Sequence, residues 1–408
     1  MAIDLTLGED QLLLQRSANE FFRKHCPPEF VREIEDGELG YSPDLWREMA
    51  SLGWLGITYP EEYGGTGAGF LDLYPIYEEM GRFLVPSPHL DTVVVAGDTI
   101  LAAGTDAQRQ RLLPAIASGE CIVSLAVVEG DGSFGPAGIA CSARRNGGDF
   151  VVSGTKLLVG YAPSVDLFLV VARTGGDTGA DGISLLLVDA AADGISCTSI
   201  PNIAGNPLFA VAFDNVSTPA ENLVGELDGG WAAVSVATTK AAVLQTATIV
   251  GAAQAVLDMT NQYAKDREQF GGPIGRYQAV QYLVTDILID MHRADVLAKQ
   301  AAFRIDAGRS YAREAAIAIA FGKKAAAHLH RQAHEVHAGV AFIVEHDLTL
   351  YSRRSKFWEN NLGDARYYQE ELANAMQRVA ASAALRGVRR RARASRSSSS
   401  GRGRPLRA

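Results

Sequence analysis

Residues 263–278 read YAKDREQFGGPIGRYQ, and this stretch interrupts a long helical pattern. Alanine-rich segments with apolar residues at helical spacing precede and follow it, so the stretch is predicted to be a break between two packed helices. A plain connection needs only turn residues. This one also carries an arginine, a phenylalanine and a glutamine, a composition that indicates a specific task for the break.

The helices on both sides of this break predict an antiparallel bundle over residues 226–385. Several long segments have the helical period of 3.6 residues, and the segment AVQYLVTDILIDMHRADVLAKQ shows it most clearly. The many alanines permit close approach of such helices. The apolar residues of that segment share one face: Val280, Leu283, Val284, Ile287, Leu288 and Met291.

Two regions with different sequence patterns precede the bundle. Residues 1–120 are predicted to be mainly helical. Residues 121–225 contain short β-branched runs bounded by glycine, asparagine or aspartate, which is typical of a small antiparallel barrel or sandwich. Residues 144–150 read RRNGGDF, which predicts a hairpin turn within this block. The predicted fold class is therefore α+β.

The charge is distributed unevenly along the chain. The 408 residues carry 38 basic and 47 acidic side chains, a net charge of −9. Nine of the arginines lie in residues 386–408, a segment without acids that is predicted to be a disordered basic tail. The remainder is strongly acidic, which argues against a nucleic-acid-binding function.

The sequence also predicts where the protein works. No uninterrupted apolar run reaches the roughly 18 residues that a membrane-spanning helix needs. The first residues, MAIDLTLGEDQ, lack the basic start and apolar core of a signal peptide. We therefore expect a cytoplasmic protein that does not enter a membrane. The four cysteines form no CxxC pair, so free thiols are expected.

The chain resembles the acyl-CoA dehydrogenase family over about residues 7–385. Four motifs occur in the family's order: GWLGITYPEEYGGTG, QRQRLLPAIASGE, YAKDREQFGGPIGRYQAVQ, and HEVHAGVAF followed by EHDLTLYSRR. The resemblance implies an N-terminal helical domain, a middle β-domain and a C-terminal four-helix bundle. It also implies FAD as cofactor, α,β-desaturation of an acyl-CoA thioester as reaction, and electron-transfer flavoprotein as electron acceptor.

The resemblance assigns a role to the break between the helices. In the family, the arginine and phenylalanine of this element and a downstream glutamine reach the FAD of a neighbouring subunit. Arg267 would then bind the pyrophosphate, which suits a planar cation with several donors. Phe270 would pack near the adenine and Gln278 would supply a hydrogen bond. Without the family, Arg267 would pair with a nearby acid, Phe270 would fill core and Gln278 would be a surface residue.

The same resemblance implies flavin contacts in the β-domain. The segment VVEGDGSF stands at the family's T-E-P-G-x-G-S element, where the backbone of Val128 and the hydroxyl of Ser133 would contact the cofactor. The segment GTKLLVGYA stands at the family's G-x-K-x-W-I-T. Gly160 there replaces threonine, so the backbone of Val159 is the remaining contact. A strand and a turn also need no flavin to explain them.

Further cofactor contacts are implied in HEVHAGVAF, at Glu335 and Gly339. The family commonly has glutamine where this chain has Glu335, and a carboxylate there would repel a phosphate. The neighbouring His330, His334 and His337 share one helical face, but they lack the HExxH spacing of a zinc site. We therefore predict no metal.

The family's catalytic base is missing from this sequence. Its common site, counted from the segment AGVAF, is Leu362, and its alternative site, counted back from the signature arginine, is Ala241. Neither aliphatic side chain can accept a proton. Asp364 and Glu359 are nearby carboxylates that could replace the base, although most such residues are simply solvated.

Two functions follow from this pattern. In one, the chain is a subunit of a hetero-oligomer whose partner supplies the catalytic glutamate. In the other, it is a self-sufficient homo-oligomeric acyl-CoA dehydrogenase with a relocated carboxylate. Retained FAD contacts together with two empty base positions favour the first. Resembling pairs of unlike subunits act on CoA thioesters of bulky groups such as sterol remnants. A structural role without flavin is a third alternative, which a yellow purified protein would exclude.

Overall fold

The computed structural model describes residues 5–176 and 179–377, so the predicted tail and the end of the predicted bundle lie outside the described residues. The N-terminal part is helical, as predicted. A π-helical segment, Leu90–Gly97, continues directly into its fifth helix. The helices are α1 (Glu9–His25), α2 (Pro28–Glu35), α3 (Pro43–Ser51), α4 (Phe70–Arg82), α5 (Asp98–Ala103) and α6 (Asp106–Ala117).

The middle region is a sheet in the order β6-β7-β3-β2-β4-β5-β8, with β1 paired to β4. The predicted hairpin turn is confirmed, because Asn146 pairs with Asp149 across it. The pairings of β4 with β1 and β2 are parallel, so the sheet is only mainly antiparallel. The strands are β1 (Val123–Ala126), β2 (Ser142–Asn146), β3 (Asp149–Gly160), β4 (Leu167–Arg173), β5 (Ile183–Asp189), β6 (Ile195–Ser199), β7 (Leu208–Thr218) and β8 (Leu223–Val224).

The C-terminal region is the predicted helical bundle. A short hairpin, β9 (Glu268–Gln269) with β10 (Gly272–Pro273), lies in the break at residues 263–278. A further helix, α11, covers residues 365–377. The other helices are α7 (Trp231–Asp266), α8 (Gln278–Asp306), α9 (Ala312–His337) and α10 (Asp347–Asn360).

Helices α4 and α7 approach so closely that only glycine fits at two facing positions. A Cβ on Gly251 would lie 1.6 Å from the carbonyl oxygen of Glu78, and one on Gly81 would lie 1.9 Å from that of Thr248. The two backbones are therefore almost in contact. This crossing joins the N-terminal domain to the bundle without intervening side chains.

Helix α7 is the core helix of the bundle. By length and composition alone it could span a membrane, but 72% of its most apolar window is buried inside the fold. Such burial is what the central helix of a bundle requires. The cysteines are free thiols, of which Cys197 is exposed.

Arg354 on α10 connects all three regions. Its Nη2 donates to Glu35 on α2 at 2.5 Å, and its Nε donates to the carbonyl oxygen of Ala204, between β6 and β7, at 3.2 Å. Arg353 donates to the same Glu35 at 2.8 Å. The Glu35 and Arg354 side chains are only 8% and 7% exposed. A buried ion pair therefore fixes the three regions relative to one another.

We expect Glu35→Ala to destabilise the protein by about 3–5 kcal/mol, because it leaves the buried Arg354 guanidinium without its counter-charge. Chemical denaturation followed by circular dichroism measures the free energy of unfolding. Glu33→Ala, at an exposed position on the same helix, is the matched control and should change it by less than about 0.5 kcal/mol. Equal, small effects of the two variants would contradict the assigned role of the ion pair.

Candidate functional site

A cleft lies where the three regions meet. It consists of two contiguous cavities of about 790 and 850 Å³, which share part of their lining. The shared residues come from the N-terminal domain, the sheet and α10: Asp91, Leu158, Leu208, Phe357 and Asn361. The lining is mainly apolar with a few polar groups, as expected for a site that holds a large organic ligand.

The strand side of the cleft is held by a buried ion pair. Lys156 Nζ lies 2.6 Å from Glu129 Oε1 and also donates to the carbonyl oxygen of Val127. Glu129 in turn accepts the backbone N–H groups of Ala140 and Cys141. These contacts fasten the glycine-rich loop after β1 to β3. Both segments contribute lining residues, so the ion pair positions this wall.

The flavin contacts predicted in the β-domain lie at different depths. Val128 lines the larger cavity, and its carbonyl oxygen accepts the backbone N–H of Leu157. Val159 is fully buried, and its neighbours Leu158 and Gly160 line the cleft instead. Ser133 Oγ accepts the backbone N–H of Gly135. The cleft thus brings Val128 and the end of β3 together, with Ser133 in the adjoining loop.

The opposite wall contains the turn with Leu362, the predicted base position. Leu362 has a positive φ of 58° and lines the larger cavity. The buried Lys323 holds this turn: its Nζ donates to the carbonyl oxygens of Trp358 at 2.8 Å and Asn361 at 2.7 Å, and to Gln245 Oε1 at 3.2 Å. Lys323 gives no signal of this role in the sequence, because a lysine in an alanine-rich helix is usually a surface residue.

The other predicted base positions do not reach the cleft. Ala241 is fully buried inside α7. Asp364 Oδ1 accepts the backbone N–H of Tyr367 at 2.7 Å and therefore caps α11. Glu359 Oε1 pairs with Lys356 at 2.7 Å. Neither carboxylate belongs to the lining of the two cavities, so each has a structural role in this chain.

The β9–β10 hairpin presents Arg267, Phe270 and Gln278 at the surface. All three are exposed, and Phe270 is 87% exposed with a positive φ of 54°. Arg276 holds the hairpin by donating to the carbonyl oxygens of Phe270 and Gly271. The Arg267 side chain has no hydrogen bond or ion pair within the described residues. A strained, exposed aromatic beside a free guanidinium is typical of a ligand or partner contact.

The C-terminal end of α9 packs on the last turns of α7, which lead into this hairpin. Glu335 and Gly339 are exposed. His337 is buried and stacks on Tyr263 of α7 at 4.3 Å between ring centroids, while His334 packs on Phe342. Burial lowers the pKa of His337 to about 4, so this ring is neutral and serves as packing at neutral pH.

His330 is also engaged in the structure. Its Nδ1 lies 2.6 Å from the carbonyl oxygen of Ala326. Within residues 5–176 and 179–377, no group of three or more histidine, cysteine, aspartate or glutamate side chains is arranged to hold a metal ion.

The three regions of the chain each match a known protein domain. Residues 8–120, 124–216 and 228–359 match the acyl-CoA dehydrogenase N-terminal, middle and C-terminal domains. Acyl-CoA dehydrogenase FadE27 of Mycobacterium tuberculosis is 32% identical over 83% of this chain and 90% of its own length. The fold and the cleft thus have the architecture of an acyl-CoA dehydrogenase.

Solved structures agree with this result. A variant of the Tcur3481-Tcur3483 steroid ACAD is 30% identical, with a TM-score of 0.82 over 92% of this chain and 100% of its own. The ChsE4-ChsE5 complex from Mycobacterium tuberculosis is 27% identical, with a TM-score of 0.83 over 92% and 99%. The chain belongs to the acyl-CoA dehydrogenase family, whose members are FAD-dependent oxidoreductases acting on acyl-CoA.

The residues present fit FAD, the cofactor of this family. The cleft brings Val128, a predicted flavin contact, and Leu362, at the family's base position, into the lining of one cavity. It also contains a polar atom without a partner, since the buried Asn206 Oδ1 makes no hydrogen bond. The free guanidinium of Arg267 is suited to a pyrophosphate bound outside its own chain.

The buried Lys323 predicts a specific pH dependence of stability. Burial lowers its pKa to about 7, although Asp364 and Glu359 oppose the shift. Between this value and the ordinary pKa of lysine, about 10.4, the unfolded chain binds more protons than the folded chain. Stability therefore rises with pH in this window. Relative to Lys323→Met, the wild-type free energy of unfolding should increase by about 1–2 kcal/mol from pH 7 to 8.5.

Denaturation at both pH values measures this difference, since the other titrating groups are common to both proteins. Lys324→Met removes an exposed lysine next in sequence and is the control. It should follow the wild-type profile. If the Lys323→Met profile also ran parallel to the wild type, the ammonium would stay charged throughout, and the lowered pKa would be wrong.

Proposed function

We propose that this chain is one subunit of a hetero-oligomeric acyl-CoA dehydrogenase. Its partner supplies the catalytic carboxylate, and this chain supplies Arg267, Phe270 and Gln278 to FAD bound across the subunit boundary. One observation carries the proposal: the FAD-reaching hairpin is intact and exposed, while the cleft has Leu362 where the family has its base.

The residues around the cleft support the proposal that this chain has no catalytic base of its own. Removal of the α-proton of a thioester needs a carboxylate within hydrogen-bond reach of that carbon. Leu362 and Ala241 are aliphatic, Asp364 caps a helix and Glu359 pairs with Lys356. A self-sufficient enzyme with a base relocated to Asp364 or Glu359 would require that carboxylate to leave its present contact and reach the cleft, so the hetero-oligomer is the better explanation.

The exposed hairpin supports a cofactor shared between chains. Bound FAD supplies the hydride acceptor for α,β-desaturation. Arg267 would neutralise the pyrophosphate with several parallel donors, and Phe270 would cover the adenine. Because Arg276 and the β9–β10 pairing hold the hairpin within its own chain, these side chains are positioned before a partner binds. Such pre-organisation lowers the entropy cost of binding.

The relatives suggest the substrate class. The Tcur3481-Tcur3483 protein is a steroid ACAD, and ChsE4-ChsE5 is a complex of two unlike chains. We therefore propose a CoA thioester of a bulky, steroid-like acyl group as substrate, in lipid or steroid catabolism. Electron-transfer flavoprotein is proposed as the electron acceptor, and the cytoplasm as the location.

Arg267→Ala tests the shared cofactor. The variant should bind FAD roughly 10–150-fold more weakly in the hetero-oligomer, since a charge-assisted hydrogen bond contributes about 1.5–3 kcal/mol. Flavin fluorescence titration of the co-expressed complex measures the dissociation constant. Arg313→Ala removes an exposed arginine at the start of α9 and should leave it unchanged. Unaltered FAD affinity in Arg267→Ala would refute the assignment.

Anaerobic mixing with saturated acyl-CoAs tests the missing base. The chain alone should not bleach its flavin, whereas its complex with an acyl-CoA dehydrogenase chain that retains the catalytic glutamate should do so. Asp364→Asn and Glu359→Gln should leave turnover of that complex within about tenfold, equivalent to roughly 1.4 kcal/mol of transition-state stabilisation. Bleaching by the lone chain that Asp364→Asn abolishes would instead establish a self-sufficient enzyme.

A further inference from the structure

Asp91 is a carboxylate at the centre of the cleft without a binding partner. It is the second residue of the π-helical segment Leu90–Gly97 and lines both cavities. Within residues 5–176 and 179–377, its side chain makes no hydrogen bond and no ion pair. Among the described residues, it is also the one acidic side chain in the lining of these two cavities.

Asp91 occupies space that a side chain at position 160 would otherwise take. A Cβ built on Gly160 would lie 3.1 Å from Asp91 Oδ2. Resemblance to the family implies a flavin-contacting threonine at this position, and the glycine has no side chain to offer. A polar group from another element, the carboxylate of Asp91, therefore stands beside the end of β3.

The cations of the cleft do not compensate the Asp91 carboxylate. Arg354 is committed to Glu35 and Lys356 to Glu359. The other titratable groups facing Asp91 are phenols: Tyr77 on α4, whose hydroxyl lies 2.7 Å from His89 Nδ1, and Tyr161 after β3. Burial, and then the Asp91 charge, raise the pKa of Tyr77, so it stays neutral.

Asp91 is partly buried; a carboxylate withdrawn from water without hydrogen-bond donors is costly, and a ligand donor lowers that cost. Burial alone raises the pKa of Asp91 to about 6, so the group is mainly ionised at neutral pH. The buried Asn206 Oδ1 is a second acceptor in this lining that lacks a donor. The Asp91 carboxylate and Asn206 Oδ1 would both be satisfied by a ligand with N–H or O–H groups.

We propose that Asp91 is a cofactor-binding residue, whose carboxylate accepts a hydrogen bond from an N–H or O–H donor of the flavin part of FAD. Flavin has such donors on its ring and on its ribityl chain, and Asp91 stands beside Gly160, where the resemblance to the family implies a flavin contact. The assignment rests on the proposed FAD site and adds a residue that replaces the hydroxyl absent from Gly160.

FAD titration of the full-length complex between pH 5 and 8.5 tests this assignment. A donor from the ligand stabilises the carboxylate, so the pKa of Asp91 falls when FAD binds. Wild-type affinity should therefore increase with pH up to about 6, by at most tenfold per pH unit, and be constant above. Asp91→Asn should remove this dependence and bind FAD roughly tenfold more weakly at pH 8.

Glu78→Gln is the matched control, because Glu78 is a further carboxylate of the N-terminal domain whose pKa is raised, to about 7, mainly by burial. It hydrogen-bonds Gln15 and is not part of the cleft lining. This variant should retain the wild-type pH profile of FAD affinity. Wild-type affinity that decreases as pH rises, or Asp91→Asn that matches wild type, would overturn the assignment.

The wild-type pH profile needs no variant, so the test remains valid even if Asp91→Asn folds poorly. Absence of FAD binding at every pH would refute the proposed function as a whole. FAD binding without an effect of Asp91→Asn would refute only the role of Asp91. Turnover by the chain alone that Asp91→Asn abolishes, with FAD affinity unchanged, would identify Asp91 as a base and overturn the assignment.

Discussion

The ion pair between Arg354 and Glu35 is the constraint on which the cleft depends. The cleft is a space between three regions, so its width is set by whatever fixes their distances. Arg354 contacts all of them, since it lies on α10 and donates to α2 and to the chain between β6 and β7. The glycine crossing of α4 and α7 joins the N-terminal domain to the bundle as well. The walls are therefore positioned by two contacts that themselves border the cleft.

Buried cations have one task throughout this structure. Lys156, Lys323 and Arg354 are 0%, 3% and 6% exposed, and each ties its own segment to oxygen atoms of another segment. Apolar packing tolerates small shifts, whereas a cation with several donors specifies which oxygens must meet. Because Lys323 holds the turn through backbone carbonyls, the wall survives whichever side chain occupies position 362.

Much of the architecture could be predicted from the sequence, because periodicity and glycine-bounded strands report local structure directly. The hairpin at Asn146 and the helices around Arg267 are examples. The hydrogen-bond partners of individual side chains could not be predicted from the sequence. Spacing located Asp364 near the base position, but only coordinates reveal that it caps α11. Asp91 was missed altogether, since its meaning depends on Gly160, which is distant in sequence and adjacent in space.

The exposed apolar side chains in the hairpin and after α9 also affect the stability of the chain in a cell. Phe270, Phe342 and Val344 are 87%, 73% and 71% exposed, and large exposed apolar side chains attract other chains. If the chain is a subunit of the proposed hetero-oligomer, copies made in excess of the partner would carry these side chains uncovered. Chaperones and proteases recognise such surfaces, so balanced synthesis of the two chains would protect the pool from aggregation and degradation. The ratio of the two proposed chains would therefore affect the amount of intact protein as well as its activity.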